Sequence, residues 1–197
     1  MVISSKFKLG LGVTSLFFSS VLFGQGPKRP NILFLLADDQ RADALGCSGN
    51  SYIRTPNIDQ LAANGVRFTN SYVMGGPHGA ICAPSRAMLL SGKSLFHVYD
   101  KLKGVETMPH YFSGYGYETF GTGKWHNEKE AFEATFQKGK NVFLGGMSDH
   151  YKVPCRDTEP DGKLGAPVIK GFSTDVFAGT AIDYLNEYAE GKKDNPF

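Results

Sequence analysis

The chain has 197 residues, 41% of them hydrophobic and 20% charged. That excludes disorder over most of its length, and only three cysteines exclude a disulfide-stapled miniprotein. Of its 21 basic residues, Lys6 and Lys8 lie in an apolar leader, so the rest balance the 19 acidic ones and give no reason for a nucleic-acid partner.

Residues 1–24 read as a secretory signal peptide. Lys6 and Lys8 form a positive start, Leu9 to Phe23 an apolar stretch, and Gly24 lies near a plausible cleavage point. The stretch is shorter than the roughly 20 residues that a bilayer span needs. The bland alternative is a buried strand or helix. The expectation is an exported protein, periplasmic or secreted. Its body would be residues 25–197, with no integral membrane span beyond the leader.

After a short Pro27–Pro30 linker, Asn31 to Ala37 is a continuous apolar run, as in a strand covered on both faces. It ends in Asp38-Asp39, where open α/β sheets place their ligands. Thr55, Pro56 and Gly65 punctuate a helix with Ile58, Leu61 and Ala62 on its apolar face. Val66, Phe68, Asn70 and Tyr72 alternate like a short strand. Gly75-Gly76-Pro77 opens a loop carrying His78 and Cys82. A helix is expected from Arg86 to Leu90, closed by Gly92, and another turn from Thr107 to about Ser113.

Tyr117 to Gly121 reads as a strand leading to Thr122-Gly123-Lys124-Trp125-His126. Residues 137–171 lack a clean period and read as a long excursion. Ser173 or Thr174 caps a last helix, with Phe177, Ala181, Leu185 and Tyr188 on one face and Lys192 and Lys193 at its end. Asp194 to Phe197 resembles a turn entering another strand. Glycine, at 24 residues, exceeds its usual share of about 7% and fits a loop-rich α/β protein. No internal repeat and no second domain are evident.

Three clusters fall where loops leave strands. Asp38 and Asp39 are either a solvated turn or a pair held together by a hard cation, Ca²⁺ or Mg²⁺. Cys82 is either a buried thiol or one activated near a helix start and an arginine. Lys124 and His126, two apart, would point the same way on an extended segment and suit anion binding with proton transfer. The alternative is a surface lysine beside a core histidine. His78 is a substrate contact or a loop histidine; Trp125 is packing or a sugar platform; His97, His110 and His150 are weaker candidates. Cys47 and Cys155 have the option of pairing in an oxidising compartment.

Together the clusters resemble one family. CAPSR at 82–86 resembles the Cys-x-Pro-Ser-Arg signature of the type I sulfatases. RPNILFLLADDQRADALGC resembles the opening strand and metal-binding acid pair, TPNIDQLAANGVRFTNSYV the first helix and next strand, and GYGYETFGTGKWH the second signature. The resemblance implies an α/β fold of the alkaline-phosphatase-like type. It would have a central, mostly parallel sheet flanked by helices, incomplete at the carboxyl end.

It also implies a sulfuric ester hydrolase. In that family a maturation enzyme oxidises the signature cysteine, here Cys82, to formylglycine. The hydrated aldehyde attacks sulfur, then expels sulfate. By the same resemblance Asp38, Asp39 and residue 82 contact Ca²⁺, with Mg²⁺ as an alternative. Arg86 orients the diol, Lys124 binds sulfate oxygens and His126 shuttles the diol proton. The substrate would be a sulfated carbohydrate or a small sulfate ester. The other readings are a phosphonate or phosphate monoester hydrolase of the same superfamily and a catalytically silent binder of sulfated glycans. The family's second Asp-Asn metal pair, further histidine and further lysine find no match here. The chain is therefore expected to be the amino-terminal part of a sulfatase, without efficient turnover alone.

Overall fold

The structure, a computed structural model, describes residues 29–76, 81–191 and 194–197. The expected leader, His78 and the Lys192–Lys193 pair lie outside the described residues. Strands β1 (Phe120–Lys124), β2 (Lys138–Phe143), β3 (Pro154–Arg156) and β4 (Val168–Ile169) form one sheet in that order. β1 and β2 are parallel, while the β2–β3 and β3–β4 ladders are antiparallel. The α/β class stands, and the described sheet is mixed.

Parallel neighbours need a crossover, usually a helix. Here it is α4 (Lys129–Thr135). Its Phe132 and the following Phe136 lie against Gly121 on one face of β1. On the other face Phe120 stacks on Tyr184 of α5 (Ser173–Glu190), ring centroids 4.2 Å apart. β1 is thus covered from both sides. The half-buried positions of α5 include Phe177, Ala181, Leu185 and Tyr188, the face expected from the sequence.

The main core joins Ala87, Leu90, Trp125, Phe132, Val142 and Leu164, among others. A smaller cluster joins Phe143, Val153 and Cys155, with Phe177 packed against it. α3 (Met108–Ser113) lies where Thr107 and Pro109 predict it. No helix among the described residues is long and apolar enough to cross a membrane.

Several elements differ from the sequence expectation. Residues 137–171 hold three strands instead of an irregular excursion. In β2 two of the inward positions are Gly139 and Asn141, so no apolar alternation marks it. Asn141 is tolerated inside because its side-chain amide donates to Thr180 Oγ1 at 2.7 Å. The Tyr117–Gly121 strand begins instead at Phe120 and runs on to Lys124.

Residues 66–72 form no strand, and Val66, Phe68 and Tyr72 are exposed. The Asn31–Ala37 run belongs to no ladder, with Leu33 and Leu35 exposed. An apolar run is buried only where neighbours flank it, and local sequence does not specify them. In α1 (Pro56–Asn64) Thr55 holds the N-cap position, yet its hydroxyl donates to Asp59 Oδ1 and accepts from Gly46 N–H. That ties α1 to the short 3₁₀ turn Gly46–Ser48 and leaves Ile58 and Leu61 exposed.

Candidate active site

The sequence places Cys82 in a loop before a helix at Arg86. Instead α2 (Cys82–Ser91) starts at Cys82 itself. Pro84 suits the first turn, where no N–H partner is required, and Ser85 N–H bonds Ile81 O at 2.9 Å. Gly92 closes the helix at φ 67°, its N–H on Met88 O. Residue 82 therefore sits at the positive end of the helix dipole, which favours negative charge there.

β1 brings the second cluster to it. Gly123 takes φ 86° with Phe177 alongside, a backbone that L side chains rarely adopt. Lys124 ends the strand, Trp125 turns into the core, and His126 follows at φ 62°. This left-handed turn aims His126 at α2. Its Nδ1 lies 3.0 Å from Cys82 Sγ, and Lys124 Nζ lies 3.5 Å from the same sulfur. The expected convergence of Lys124 and His126 is met, through a turn beyond the strand end and not through plain alternation.

Asp38 completes the cluster. Lys124 Nζ donates to its Oδ2 at 2.5 Å, and an Arg86 guanidinium nitrogen to its Oδ1 at 3.4 Å. Arg86 also donates to Lys124 O at 2.6 Å, so one buried arginine holds both the strand end and the acid. Burial opposes ionisation of Asp38, but Lys124 and then Arg86 outweigh it and hold its carboxyl below the usual range. Burial first, then Lys124 and Arg86, lower the pKa of His126. Its neutral imidazole is therefore favoured over the imidazolium. Asp39 is exposed, its backbone turned to φ 52°. Of the two acids, it is Asp38 that meets Lys124 and Arg86.

Asp38 and Asp39 are hard oxygen donors of the kind that Ca²⁺ takes. Among the described residues, no three His, Cys, Asp or Glu stand together as a metal cage. The donors fit a hard divalent cation in kind and supply only part of its usual set of roughly six to eight.

Two supports were not legible beforehand. Gly146 lies against the His126 ring: a Cβ there would come within 2.3 Å of Nε2. Gly145-Gly146 is visible in sequence as a turn signal, but not as the wall of a histidine. Asn127 is buried, and its amide donates to Ala83 O at 3.2 Å and to Asp100 O. It ties the segment after His126 to the first turn of α2.

Trp125 is packing: 4% exposed, edge-on to Phe132 and Phe136, with Nε1 donating to Glu128 O. His150 lies apart from the cluster, Nδ1 on Ser173 Oγ at 2.8 Å. Cys47, Cys82 and Cys155 are all unpaired thiols. Pairing of Cys47 with Cys155 is therefore not found.

A family profile described as Sulfatase matches residues 30–197. The N-acetylglucosamine-6-O-sulfatase of Bacteroides thetaiotaomicron is 33% identical over 84% of this chain and 29% of its own length. Human arylsulfatase A is 36% identical over 65% of this chain and 27% of its own. An ulvan-active sulfatase of Formosa agariphila is 32% identical over 87% of this chain and 34% of its own. The chain spans about a third or less of the length of these relatives.

Proposed function

The chain belongs to the sulfatase family, and from that membership we propose that its parent protein hydrolyses sulfate esters at the α2–β1 cluster. The observation that carries the proposal is the convergence of His126 Nδ1 and Lys124 Nζ on Cys82 Sγ, 3.0 and 3.5 Å away. The thiol stands where the oxygen of an oxidised residue 82 would stand. Formylglycine made from Cys82 would supply, as its hydrate, the nucleophilic oxygen, and Ca²⁺ or Mg²⁺ held in part by Asp38 and Asp39 would supply Lewis acidity.

The other groups have separate tasks. Neutral His126 accepts a proton at Nδ1 from an oxygen at the Sγ position. Lys124 presents its ammonium to sulfate oxygens while anchored on Asp38. Arg86 holds Lys124 O and Asp38 in place from beneath and keeps the local potential positive. The amino-terminal end of α2 adds its dipole to the same effect.

The substrate class is a sulfated carbohydrate. Two relatives named above carry a sugar or a glycan in their names. An export leader at residues 1–24 would bring the enzyme to such glycans. The maturation enzyme that oxidises Cys82 is the implied protein partner.

The test uses the parent protein from its native host. Mass spectrometry of the peptide carrying residue 82 should show aldehyde in place of thiol, and the protein should release sulfate from sulfated glycans or an aryl sulfate. Preferred turnover of a phosphate or phosphonate ester would replace the proposal with the phosphoesterase reading. An intact thiol with glycan binding and no sulfate release would replace it with a silent binder.

A further inference from the structure

His126 follows β1 in a left-handed backbone conformation that brings its Nδ1 to Cys82. The backbone alone does not fix the ring, which still turns about its two side-chain bonds. Gly146 supplies a further constraint, its bare backbone lying against Nε2 and Cε1. Gly146 belongs to the loop 144–153, which joins β2 to β3. Loops are more mobile than the strands they connect. The wall behind His126 is therefore only as firm as the attachment of this loop.

That attachment is to α5. Ser173 N–H bonds His150 O at 2.8 Å, and His150 Nδ1 shares a second hydrogen bond of 2.8 Å with Ser173 Oγ. Ser173 opens α5, so its N–H is one of the four at a helix start that find no partner within the helix. The loop carbonyl fills that need. Ser173 is buried, whereas His150 stands at the surface. The Phe172 ring packs beside the same loop, its centroid 5.6 Å from that of His150 and 5.1 Å from that of Tyr151. Asp149 folds the tip on itself, its Oδ1 accepting Tyr151 N–H and its carbonyl accepting Lys152 N–H, each at 2.9 Å.

α5 is fixed in turn to β1. Phe120 stacks on Tyr184, and Phe177 lies against Gly123, one residue before Lys124. The path is a closed ring. It runs from β1 through α5, Ser173 and His150 to Gly146, and back to His126 just beyond the same strand. Because both ends rest on β1, the Ser173–His150 link sets how closely Gly146 backs the imidazole. We propose that His150 and Ser173 are positioning residues for His126, acting through Gly146 and not by contact with residue 82. This role rests on the reading of His126 as the proton acceptor for residue 82.

The test is a mutant cycle in the parent protein, read as sulfate release from an aryl sulfate. His150→Phe keeps a ring against Phe172 and removes Nδ1. At an exposed position it should leave Tm within about 2 °C of wild type. Its kcat should fall about 10-fold with KM within about twofold, a part of the loss that a roughly 1 Å misplacement brings. His150→Asn, whose side-chain amide can meet Ser173 Oγ, should recover most of that loss. Ser173→Ala should repeat the loss from the other side of the link. In a His126→Ala background neither His150→Phe nor Ser173→Ala should cost anything further, because changes that act through one group do not add. Additive losses in that background, or wild-type kcat in His150→Phe, overturn the proposal. Wild-type kcat in His126→Ala alone would show instead that the reading of His126 as proton acceptor has failed, and the positioning role falls with it.

Discussion

Gly146 leaves no room for a side chain beside His126: a Cβ at residue 146 would stand 2.3 Å from Nε2. The ring is therefore held from behind by bare backbone while Nδ1 faces Cys82 at 3.0 Å. Gly146→Ala must push the ring toward Cys82 or turn it. Sulfate release by the parent protein should fall about 100-fold, the usual cost of a roughly 1 Å misplacement in a reacting cluster. Oxidation of Cys82 should be unchanged by mass spectrometry. Activity within threefold of wild type would show that His126 is not positioned from this side.

Lys124 contacts both Asp38 and Cys82. Lys124→Met removes the ammonium with little change in stem volume. kcat/KM for an aryl sulfate should drop about 10²–10³-fold, the scale for losing one preorganised charge contact. Lys124→Arg should rescue poorly, because a planar fork cannot take the place of a compact ammonium between carboxylate and sulfur.

Asp157 has a structural task and a pH signature. Its Oδ1 accepts Asn141 N–H at 2.7 Å, and Lys170 Nζ meets Oδ2 at 2.7 Å. Burial opposes its ionisation, but the Asn141 N–H and then Lys170 outweigh it and hold its carboxyl below the usual carboxylate range. A depressed carboxyl pKa contributes stability that is complete above the unfolded value and is lost as pH falls through the folded one. Asp157→Asn should cost about 0.5–1 kcal/mol at pH 7, modest because the pair is partly exposed. In urea unfolding the gap between variant and wild type should narrow below about pH 4. A pH-independent gap would point to packing instead.

Trp125 separates packing from sugar binding. Buried against Phe132 and Phe136, it should cost about 3–5 kcal/mol as Trp125→Ala, read as a lower Tm. Trp125→Phe should keep the KM for a sulfated glycan within twofold. A large rise in KM with an unchanged Tm would return Trp125 to the substrate site.

The chemistry of the site was legible because its residue types are unusual in combination. Cys82, Pro84 and Arg86 fall within five positions, and Lys124 and His126 lie two apart. Helices were legible where punctuation was local, as at Thr107-Met108-Pro109 and at Gly92. The strands of residues 137–171 were not, because Gly139 and Asn141 take inward positions where a pattern reader looks for aliphatics. Asn127 and Gly146 were not legible either. Each acts on a group distant in sequence, Asn127 on Ala83 and Asp100, Gly146 on His126.

The sequence alone determined the family, the residue types of the candidate site and the ends of most helices, since these depend on residue identity and on neighbours within one turn. Tertiary structure decided that Asp38 and not Asp39 meets Lys124 and Arg86, that Trp125 turns inward, and that His126 reaches Cys82 from a left-handed turn. It also decided that the apolar run after Asn31 forms no ladder of its own and meets other backbone at Phe197. Those outcomes depend on long-range pairing and on the field of charges brought together by folding, and neither has a local period.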